Sequence, residues 1–361
     1  MSSILTFLGK GGTGRTISAI ATAKKLATEG KKVLLMGQDS SPAFGLVLGV
    51  TPTTEAQEIG ANLAVMQLNS AVLLEKSWEQ VKQIEAQYLR SPILKQVYGQ
   101  ELGILPGMDR ALALNTIREY YQSNQYDVII YDGTGGIDTL RMFGLPEILS
   151  WYFRRFRDIF TESDIVKTLA PFVQPVSSAI FNTSWSASDI TNNTDNPATQ
   201  MLADGTAALS KGNVMAYLVT TPDPVAIATA KYLWGSAQQV GLGVGGVLTN
   251  RGEVDAAEFA PLSLTSLPDY DGDNWQSLID ELPTMVGVAA LKATEFVMAE
   301  RKVKVFLPGF DKKDVKLTQY GPEITIEAGD QRRNITLPPA WRGSSVTGAK
   351  FTNGYLEVTV G

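Results

Sequence analysis

The sequence predicts an α/β fold, in which a mostly parallel sheet is flanked by helices and joined to a helical subdomain, followed by a small all-β sandwich. Up to about residue 300, short apolar runs alternate with helical patterns, which is typical of consecutive βαβ units. Two helical stretches, at 71–98 and 145–181, are too long for simple crossovers. Beyond residue 300, apolar residues recur at every second position, with turn residues between the runs.

These patterns set the predicted elements and domains. The predicted strands of the parallel sheet are residues 4–8, 32–36, 62–68, 103–105, 127–131, 215–219 and 245–248. Residues 182–199 are polar and rich in turn residues, which predicts a mobile loop. We expect a first domain over residues 1–300, whose helical subdomain covers about 71–118 and 145–210, and a sandwich domain over residues 301–361.

Composition excludes several classes of function. The 361 residues carry a net charge of −6, which argues against nucleic acid as a partner. The chain has no cysteine and no histidine, which excludes disulfides, thiolate catalysis, Cys/His zinc sites and imidazole bases, so acid–base chemistry depends on carboxylates. No apolar run is long enough to be an integral membrane segment, and the first predicted strand leaves no room for a signal peptide. We therefore expect a cytoplasmic protein.

A glycine-rich loop follows the first predicted strand and precedes a helical run. Its spacing is Gly9, four residues, Gly14, a cation and a hydroxyl, which is typical of the phosphate-binding loop of P-loop NTPases. Backbone N–H groups and the positive end of the following helix would bind phosphate, and the Thr16 hydroxyl would bind Mg²⁺. The predicted nucleotide-binding residues here are Gly9, Lys10, Gly11, Gly12, Thr13, Gly14, Arg15 and Thr16. The alternative is a plain tight turn.

Two residues distinguish this loop from the usual pattern. Arg15 stands where lysine is usual, so the cation is a bulkier, planar group, and a reduced rate of hydrolysis is a possibility that the sequence leaves open. Lys10 directly follows the first glycine, which marks the deviant Walker A class, in which this lysine reaches the phosphates bound by a facing subunit. The alternative for Lys10 is a solvated loop lysine.

Two carboxylates follow predicted strands. Asp132 comes after residues 127–131 and is predicted to help to hold Mg²⁺, and the flexible positions Gly133, Gly135 and Gly136 that follow it would sense the γ-phosphate. Asp39 follows residues 32–36 and is the candidate that orients the attacking water. The alternative for both is a turn or a helix cap.

The prediction for Asp132 is thus a Mg²⁺ ligand that acts through a water molecule, as in a Walker B motif, and the prediction for Gly133, Gly135 and Gly136 is a switch loop. ATP and Mg²⁺ are the expected cofactors.

The loop and four later segments together resemble the arsenite-pump and tail-anchored-protein-targeting ATPases. The later segments are residues 38–45, 106–112, 131–141 and 249–251, which are similar to the first switch, a proline-glycine helix start, the second switch and the adenine-reading asparagine of that family. The resemblance implies a homodimer in which Asp39 and Lys10 are catalytic. It also implies that Asn250 and Arg251 bind the nucleotide, and Pro268 is a further candidate beside the adenine.

The tail is similar to the α-crystallin domain of small heat-shock proteins. The similarity is carried by residues 307–310, 332–338 and 349–358, and one branch of the ATPase family has such a domain. Two features depart from the family. The zinc-binding cysteine pair is missing, so a dimer must form without metal, and the second switch has Gly135 and Asp138 in place of proline and histidine.

The function implied is an ATPase that holds hydrophobic polypeptide in a nucleotide-dependent way. A stripe of apolar residues on the helical stretch from 145 is the candidate client surface: Ile148, Leu149, Tyr152, Phe156, Ile159 and Phe160. The alternative is that these residues pack in the core or at a dimer interface. Two other functions stay open. One is a scaffold that binds nucleotide without hydrolysis. The other is a partitioning or cluster-delivery ATPase, although the missing cysteines oppose cluster chemistry and the acidic charge opposes direct binding of DNA.

Overall fold

A computed structural model describes residues 2–88, 96–155, 197–272 and 274–361. Residues 89–95 of the helical stretch 71–98, the later part of the helical stretch 145–181 and most of the predicted mobile loop at 182–199 lie outside the described residues. Among the described helices, none is both long enough and apolar enough to cross a bilayer.

The first domain is built on an eight-stranded sheet. Its strands are β1 Ser3–Leu8, β2 Val33–Gly37, β3 Gln57–Gly60, β4 Leu63–Gln67, β5 Val128–Asp132, β6 Val214–Thr220, β7 Gly243–Thr249 and β8 Leu264–Ser266. The spatial order is β3-β4-β2-β5-β1-β6-β7-β8, and every pairing is parallel except that of β3 with β4. Because β5 lies between β2 and β1, the loops after these three strands meet at one edge of the sheet.

Helices cover both faces of this sheet. They are α1 Arg15–Thr28, α2 Ala43–Leu48, α3 Ser70–Tyr88, α4 Met108–Ser123, α5 Ile137–Arg155, α6 Pro197–Ser210, α7 Pro224–Gln239 and α8 Trp275–Glu281. The small residues Ala19, Ala21 and Ala23 of α1 are fully buried, which lets this helix pack closely on the strands beside the glycine-rich loop. One apolar core lies on each face of the sheet.

The predicted strand at 103–105 is wrong. The segment is irregular, and Ile104 and Leu105 are 37% and 60% exposed. A strand needs a neighbour for its backbone groups, and Pro106 removes one hydrogen-bond donor directly after the segment. The short edge strands β3 and β8 were not predicted, because strands of four and three residues carry little periodicity.

The C-terminal part is a sandwich of two antiparallel sheets. Its strands are β9 Thr294–Val297, β10 Lys302–Phe306, β11 Val315–Tyr320, β12 Glu323–Ala328, β13 Gln331–Thr336, β14 Val346–Thr352 and β15 Tyr355–Val360. One sheet has the order β14-β15-β10-β9 and the other β11-β12-β13. Alternate residues of both sheets, such as Val303, Val305 and Ile326, form its core. The strand β9 lies before residue 301 and pairs with β10.

The sandwich contacts the first domain through two helices. Phe310 packs on Tyr232 of α7, with ring centroids 5.6 Å apart, and the Gln239 amide donates to the Ile326 carbonyl at 3.3 Å. Near the end of α5, the Trp151 indole donates to the Glu323 carboxylate at 3.1 Å. Near its start, Arg141 forms an ion pair with Asp330.

Candidate nucleotide-binding site

The glycine-rich loop is held in shape by its neighbours. Gly14 has a φ of 94°, and a Cβ at this position would lie 2.7 Å from the Asn250 amide nitrogen, so both the backbone conformation and the space require glycine. The Asn250 amide donates to the Thr13 carbonyl at 2.8 Å, and the Gly9 N–H donates to the Gly135 carbonyl at 2.9 Å. The loop is therefore braced from the end of β7 on one side and from the second switch on the other.

Arg15 contacts the second switch. Its guanidinium donates to the Gly133 carbonyl at 3.1 Å, and a side chain at Gly135 would clash with it. Burial lowers the pKa of Arg15, and the charge of Asp132 opposes this shift. The predicted contact of Arg15 with phosphate therefore stays a prediction, while its contact with the switch is a feature of the structure.

Thr16 and Asp132 form the candidate metal site. Thr16 and the Asp132 carboxylate line the same cleft, and Asp132 is 7% exposed at the end of β5. Burial raises the pKa of Asp132 to about 6, and Asp39 adds to this, while Thr16 and Arg15 oppose it. A buried carboxylate with a raised pKa gains from a nearby cation, and carboxylate and hydroxyl oxygens suit Mg²⁺, so this pair fits the predicted metal. The described residues contain no cluster of three or more acidic, Cys or His side chains that could hold a metal without nucleotide oxygens.

Asp39 lies at the exposed mouth of the same cleft. Its carboxylate accepts a hydrogen bond from the Ser41 N–H at 2.9 Å, which is the turn contact expected under the alternative interpretation. Its backbone carbonyl accepts from the Gln67 amide at 2.6 Å. The turn contact fixes the carboxylate beside the cleft, so the two interpretations are compatible.

Lys10 points away from the cleft in this chain. Its ammonium forms an ion pair of 3.2 Å with Asp223, and both side chains are nearly half exposed. Asp223 also caps α7, because its carboxylate accepts from the N–H groups of Val225 and Ala226. The Lys10 hydrogen bond is the main cause that lowers the pKa of Asp223.

The predicted adenine residues lie at the ends of β7 and β8. Asn250 is buried against the glycine-rich loop, and Arg251 is exposed with a φ of 60°. Pro268 is half-buried and follows Leu267, whose N–H donates to the Thr249 carbonyl at 2.8 Å. The structure thus brings these three residues to one side of the loop, and their contact with adenine stays a prediction.

The second switch connects β5 to α5. Gly135 has a φ of 63°, and its N–H donates to the Thr139 hydroxyl at 3.0 Å. The Gly136 carbonyl accepts from the N–H groups of Thr139 and Leu140 in the first turn of α5. Movement of Gly133 or Gly135 would therefore be passed directly to this helix.

A cleft of about 730 Å³ joins these elements at the carboxyl ends of the strands. Arg15, Thr16, Asp39, Asp132 and Gly133 line it, and a nucleotide-binding role for these residues stays a prediction. Three further residues of the site were not assigned from sequence. Asp109 and Asn69 also line the cleft, and Asp223 holds Lys10. Asp109 lies in the proline-glycine segment at the start of a helix, and Asp223 lies between β6 and α7. These positions are the features of the sequence from which a role in the site could have been predicted.

A strand, a glycine-rich loop and a helix, with a buried carboxylate at the end of an adjacent strand, define a P-loop nucleotide-binding protein. The family model of anion-transporting ATPases matches residues 2–258, and the model of the HSP20-like domain found in ArsA matches residues 299–360. The chain belongs to the family of anion-transporting ATPases. The resemblance and the fold class predicted from the sequence are confirmed.

Individual relatives match different shares of the chain. A putative arsenical pump-driving ATPase of Prosthecochloris vibrioformis is 33% identical over 160 residues, which are 43% of this chain and 38% of the relative. The ATPase get3 of Schizosaccharomyces japonicus is 30% identical over 148 residues, which are 39% of this chain and 43% of the relative. Protein Rv2184c of Mycobacterium tuberculosis is 24% identical over 422 aligned positions, covering 98% of this chain and 95% of the relative. The chain thus spans well under half the length of the arsenical pump relative.

Proposed function

We propose that this protein hydrolyses ATP with Mg²⁺ as a homodimer, and that its nucleotide state controls the holding of hydrophobic polypeptide segments. The observation that carries the proposal is the arrangement of Thr16 and Asp132 beside the glycine-rich loop, with Asp39 at the mouth of the same cleft. A bound Mg²⁺ would neutralise phosphate charge and would be held by Thr16 and, through water, by Asp132.

The roles of the chain's own residues follow from their positions. Asp39 orients the attacking water, because its carboxylate is fixed beside the cleft by the Ser41 N–H. The loop from Gly9 to Thr16 binds the phosphates, and Asn250, Arg251 and Pro268 border the base. Lys10 leaves Asp223 and reaches the nucleotide of the facing subunit, which its exposed position allows.

Exposed apolar side chains near the cleft support the homodimer. Leu46 follows the first switch, Leu105 lies shortly before Asp109, and Val225 lies next to the Lys10 ion pair, and these side chains are 78%, 60% and 59% exposed. Large apolar groups at this exposure favour contact with another protein surface. Their distribution around the nucleotide cleft favours a second copy of the chain as the partner.

Support for a hydrophobic client comes from the region between α4, α5 and α6. Of the predicted stripe, Ile148 and Leu149 are half-buried and Tyr152 is 47% exposed, whereas Phe156, Ile159 and Phe160 lie outside the described residues. A mainly apolar cavity of about 240 Å³ lies between these helices. Phe143, Pro146 and Met201 are among its lining residues. An apolar cavity that is lined in part by α5, the helix that carries the exposed Tyr152, supports a binding surface for an apolar helix.

Two measurements test the proposal. Phosphate release from purified protein at saturating ATP and Mg²⁺ tests hydrolysis, and crosslinking to an apolar helical peptide with ATP, with ADP and without nucleotide tests the coupling. We expect steady turnover and crosslinking that depends on the nucleotide. Capture that is equal in all three states, or no capture at all, would contradict the coupling.

A second candidate function is a scaffold that binds nucleotide without hydrolysing it. The hydrogen bond of Arg15 to the Gly133 carbonyl favours this alternative, because it ties the loop cation to the switch. Tight ATP binding by calorimetry together with no phosphate release would establish it.

A further inference from the structure

A second large cleft lies at the opposite end of the parallel sheet. Its volume is about 860 Å³, and it opens between the amino ends of β1, β6 and β7, the linker at 287–293 and the sandwich. Ser3, Asn213 and Gly243 mark the sheet side, and Arg333 of β13 marks the sandwich side. The first domain and the sandwich therefore both contribute to its walls.

Arg333 is a half-buried cation in this cleft. Its guanidinium donates to the Gln238 carbonyl at 2.9 Å, and no carboxylate among the described residues accepts a hydrogen bond from it. Burial lowers the pKa of Arg333, and the charge of Glu147 only partly opposes this shift. A partly buried charge without a counter-ion is unfavourable, and a guanidinium carries five donors. Most of these donors remain for another acceptor.

The other charges of the cleft have the same sign. Lys211 and Lys292 line it as exposed side chains, and neither forms an ion pair with a residue that the structure describes. Glu147 is the one carboxylate among the lining residues. A chain with a net charge of −6 thus places three cations and one carboxylate around a single cleft.

Two wall residues have polar atoms without a hydrogen-bond partner. Both side-chain atoms of the Gln238 amide and the Thr294 hydroxyl are buried, and no acceptor or donor among the described residues reaches them. Such groups are uncommon in folded proteins, because each one left unpaired destabilises the fold. They add donors and acceptors to the wall on which Arg333 lies.

We propose that this cleft binds a small anion carrying phosphate or carboxylate groups, which joins the sandwich to the ATPase domain. The planar guanidinium of Arg333 suits two oxygens of either group, and Lys211 and Lys292 add attraction at the entrance. Because the cleft lies at the far end of the sheet from the glycine-rich loop, the anion acts as an effector that fastens two domains.

Calorimetric titration of the full-length protein with inorganic phosphate and with succinate tests the proposal and distinguishes the two kinds of group. The nucleotide cleft is filled with ADP and Mg²⁺ during the titrations. We expect Arg333→Gln to weaken binding by at least about tenfold, since a hydrogen bond to a charged group contributes about 1.5–3 kcal/mol. The double variant Lys211→Gln with Lys292→Gln should weaken it severalfold, and both exposed positions preserve the fold.

Arg332→Gln is the matched control, because Arg332 is the neighbouring arginine of β13, is largely exposed and pairs with Glu327 at 2.9 Å. It should bind the anion like the parent protein. Anion binding that survives both Arg333→Gln and the double lysine variant would belong to another site and would overturn the proposal, as would the absence of heat with both anions. This outcome is independent of whether the protein hydrolyses ATP.

Discussion

The two ends of the parallel sheet carry opposite charge. The cleft at the carboxyl ends is lined by Asp39, Asp109 and Asp132 and by one guanidinium, that of Arg15. The cleft at the amino ends has the reverse balance, with three cations and one carboxylate. An excess of carboxylate favours a triphosphate that arrives with a metal ion, whereas the cationic cleft attracts an anion alone. The same sheet therefore offers two sites of different chemistry.

The cations at the two ends of the sheet also differ in the partners that they have within the chain. In the carboxyl-end region, Arg15 donates to the Gly133 carbonyl and Lys10 pairs with Asp223, so both loop cations have partners within the chain. At the amino end, Arg333 has a single backbone acceptor among the described residues. Nucleotide binding at the carboxyl-end cleft would have to replace the present contacts of Arg15 and Lys10. Such a replacement of contacts is a physical basis for a conformational switch.

The largest expected effect concerns Asp39. Asp39→Asn should lower the rate of ATP hydrolysis by roughly 10²–10⁴-fold, the usual contribution of a positioned proton acceptor. Nucleotide affinity should stay near that of the parent, since the asparagine oxygen can still accept from the Ser41 N–H. Phosphate release and calorimetry measure the two quantities. Ser40→Ala is the neighbouring control, and turnover of Asp39→Asn at the parent rate would exclude the role assigned to Asp39.

A smaller effect is expected from the carboxylate of Asp132 in nucleotide-free protein. Its pKa is raised from 3.8 to about 6 on folding, so the folded state holds its proton more tightly, and this group's contribution to stability falls as pH rises from about 4 to about 6. The loss is at most about 3 kcal/mol. Asp132→Asn should therefore raise the free energy of unfolding near neutral pH and have little effect near pH 4.

Denaturant unfolding of the two proteins at both pH values, without nucleotide or Mg²⁺, checks this expectation. Asp127→Asn offers a control, because Asp127 lies just before the same strand and accepts from the Lys32 N–H. An equal change in stability at both pH values would show that a loss of packing, and not the charge of Asp132, is responsible.

Arg15→Lys should have an intermediate effect on turnover. Lysine has no planar fork and would leave the Gly133 carbonyl free of its present donor, so we expect hydrolysis to change by up to about tenfold. A faster rate of hydrolysis would indicate that Arg15 restrains the switch loop, as in the scaffold alternative. A slower rate would indicate that Arg15 contacts phosphate directly. No change in either affinity or rate would show that Arg15 acts on neither.

The residues that come together at the carboxyl-end cleft could be predicted from the sequence because they stand in local patterns. The loop from Gly9 to Gly14 and the carboxylate Asp132 each stand directly after an apolar strand, and parallel strands bring such ends together. The roles of Asp223 and of the Asn250 contact with Thr13 depend on which strands are neighbours, and this is a property of the sheet order.

The amino-end cleft could not be predicted in this way. Arg333 and Gln238 are far apart in the chain and meet only because the sandwich packs on α7. Arg333 lies in a segment that resembles the α-crystallin domain, but that resemblance assigns it no ligand, and an arginine in a strand next to another arginine is typical of a solvated surface. The contact between Arg333 and Gln238 therefore depends on how the two domains pack together. The periodicity and the spacing of residues in the sequence do not specify that packing.

The smallest expected effect concerns the ion pair of Lys10 with Asp223. Asp223→Asn removes the charge partner of Lys10 but keeps a good cap for α7, since asparagine accepts from the same N–H groups. Stability should change little, as is usual for exposed ion pairs. Freed Lys10 should strengthen nucleotide-dependent dimerisation severalfold, which analytical ultracentrifugation with ATP and Mg²⁺ measures. Because Lys10→Ala removes the same ion pair but also the reaching cation, it should weaken the dimer, and equal behaviour of the two variants would show that the ion pair does not restrain Lys10.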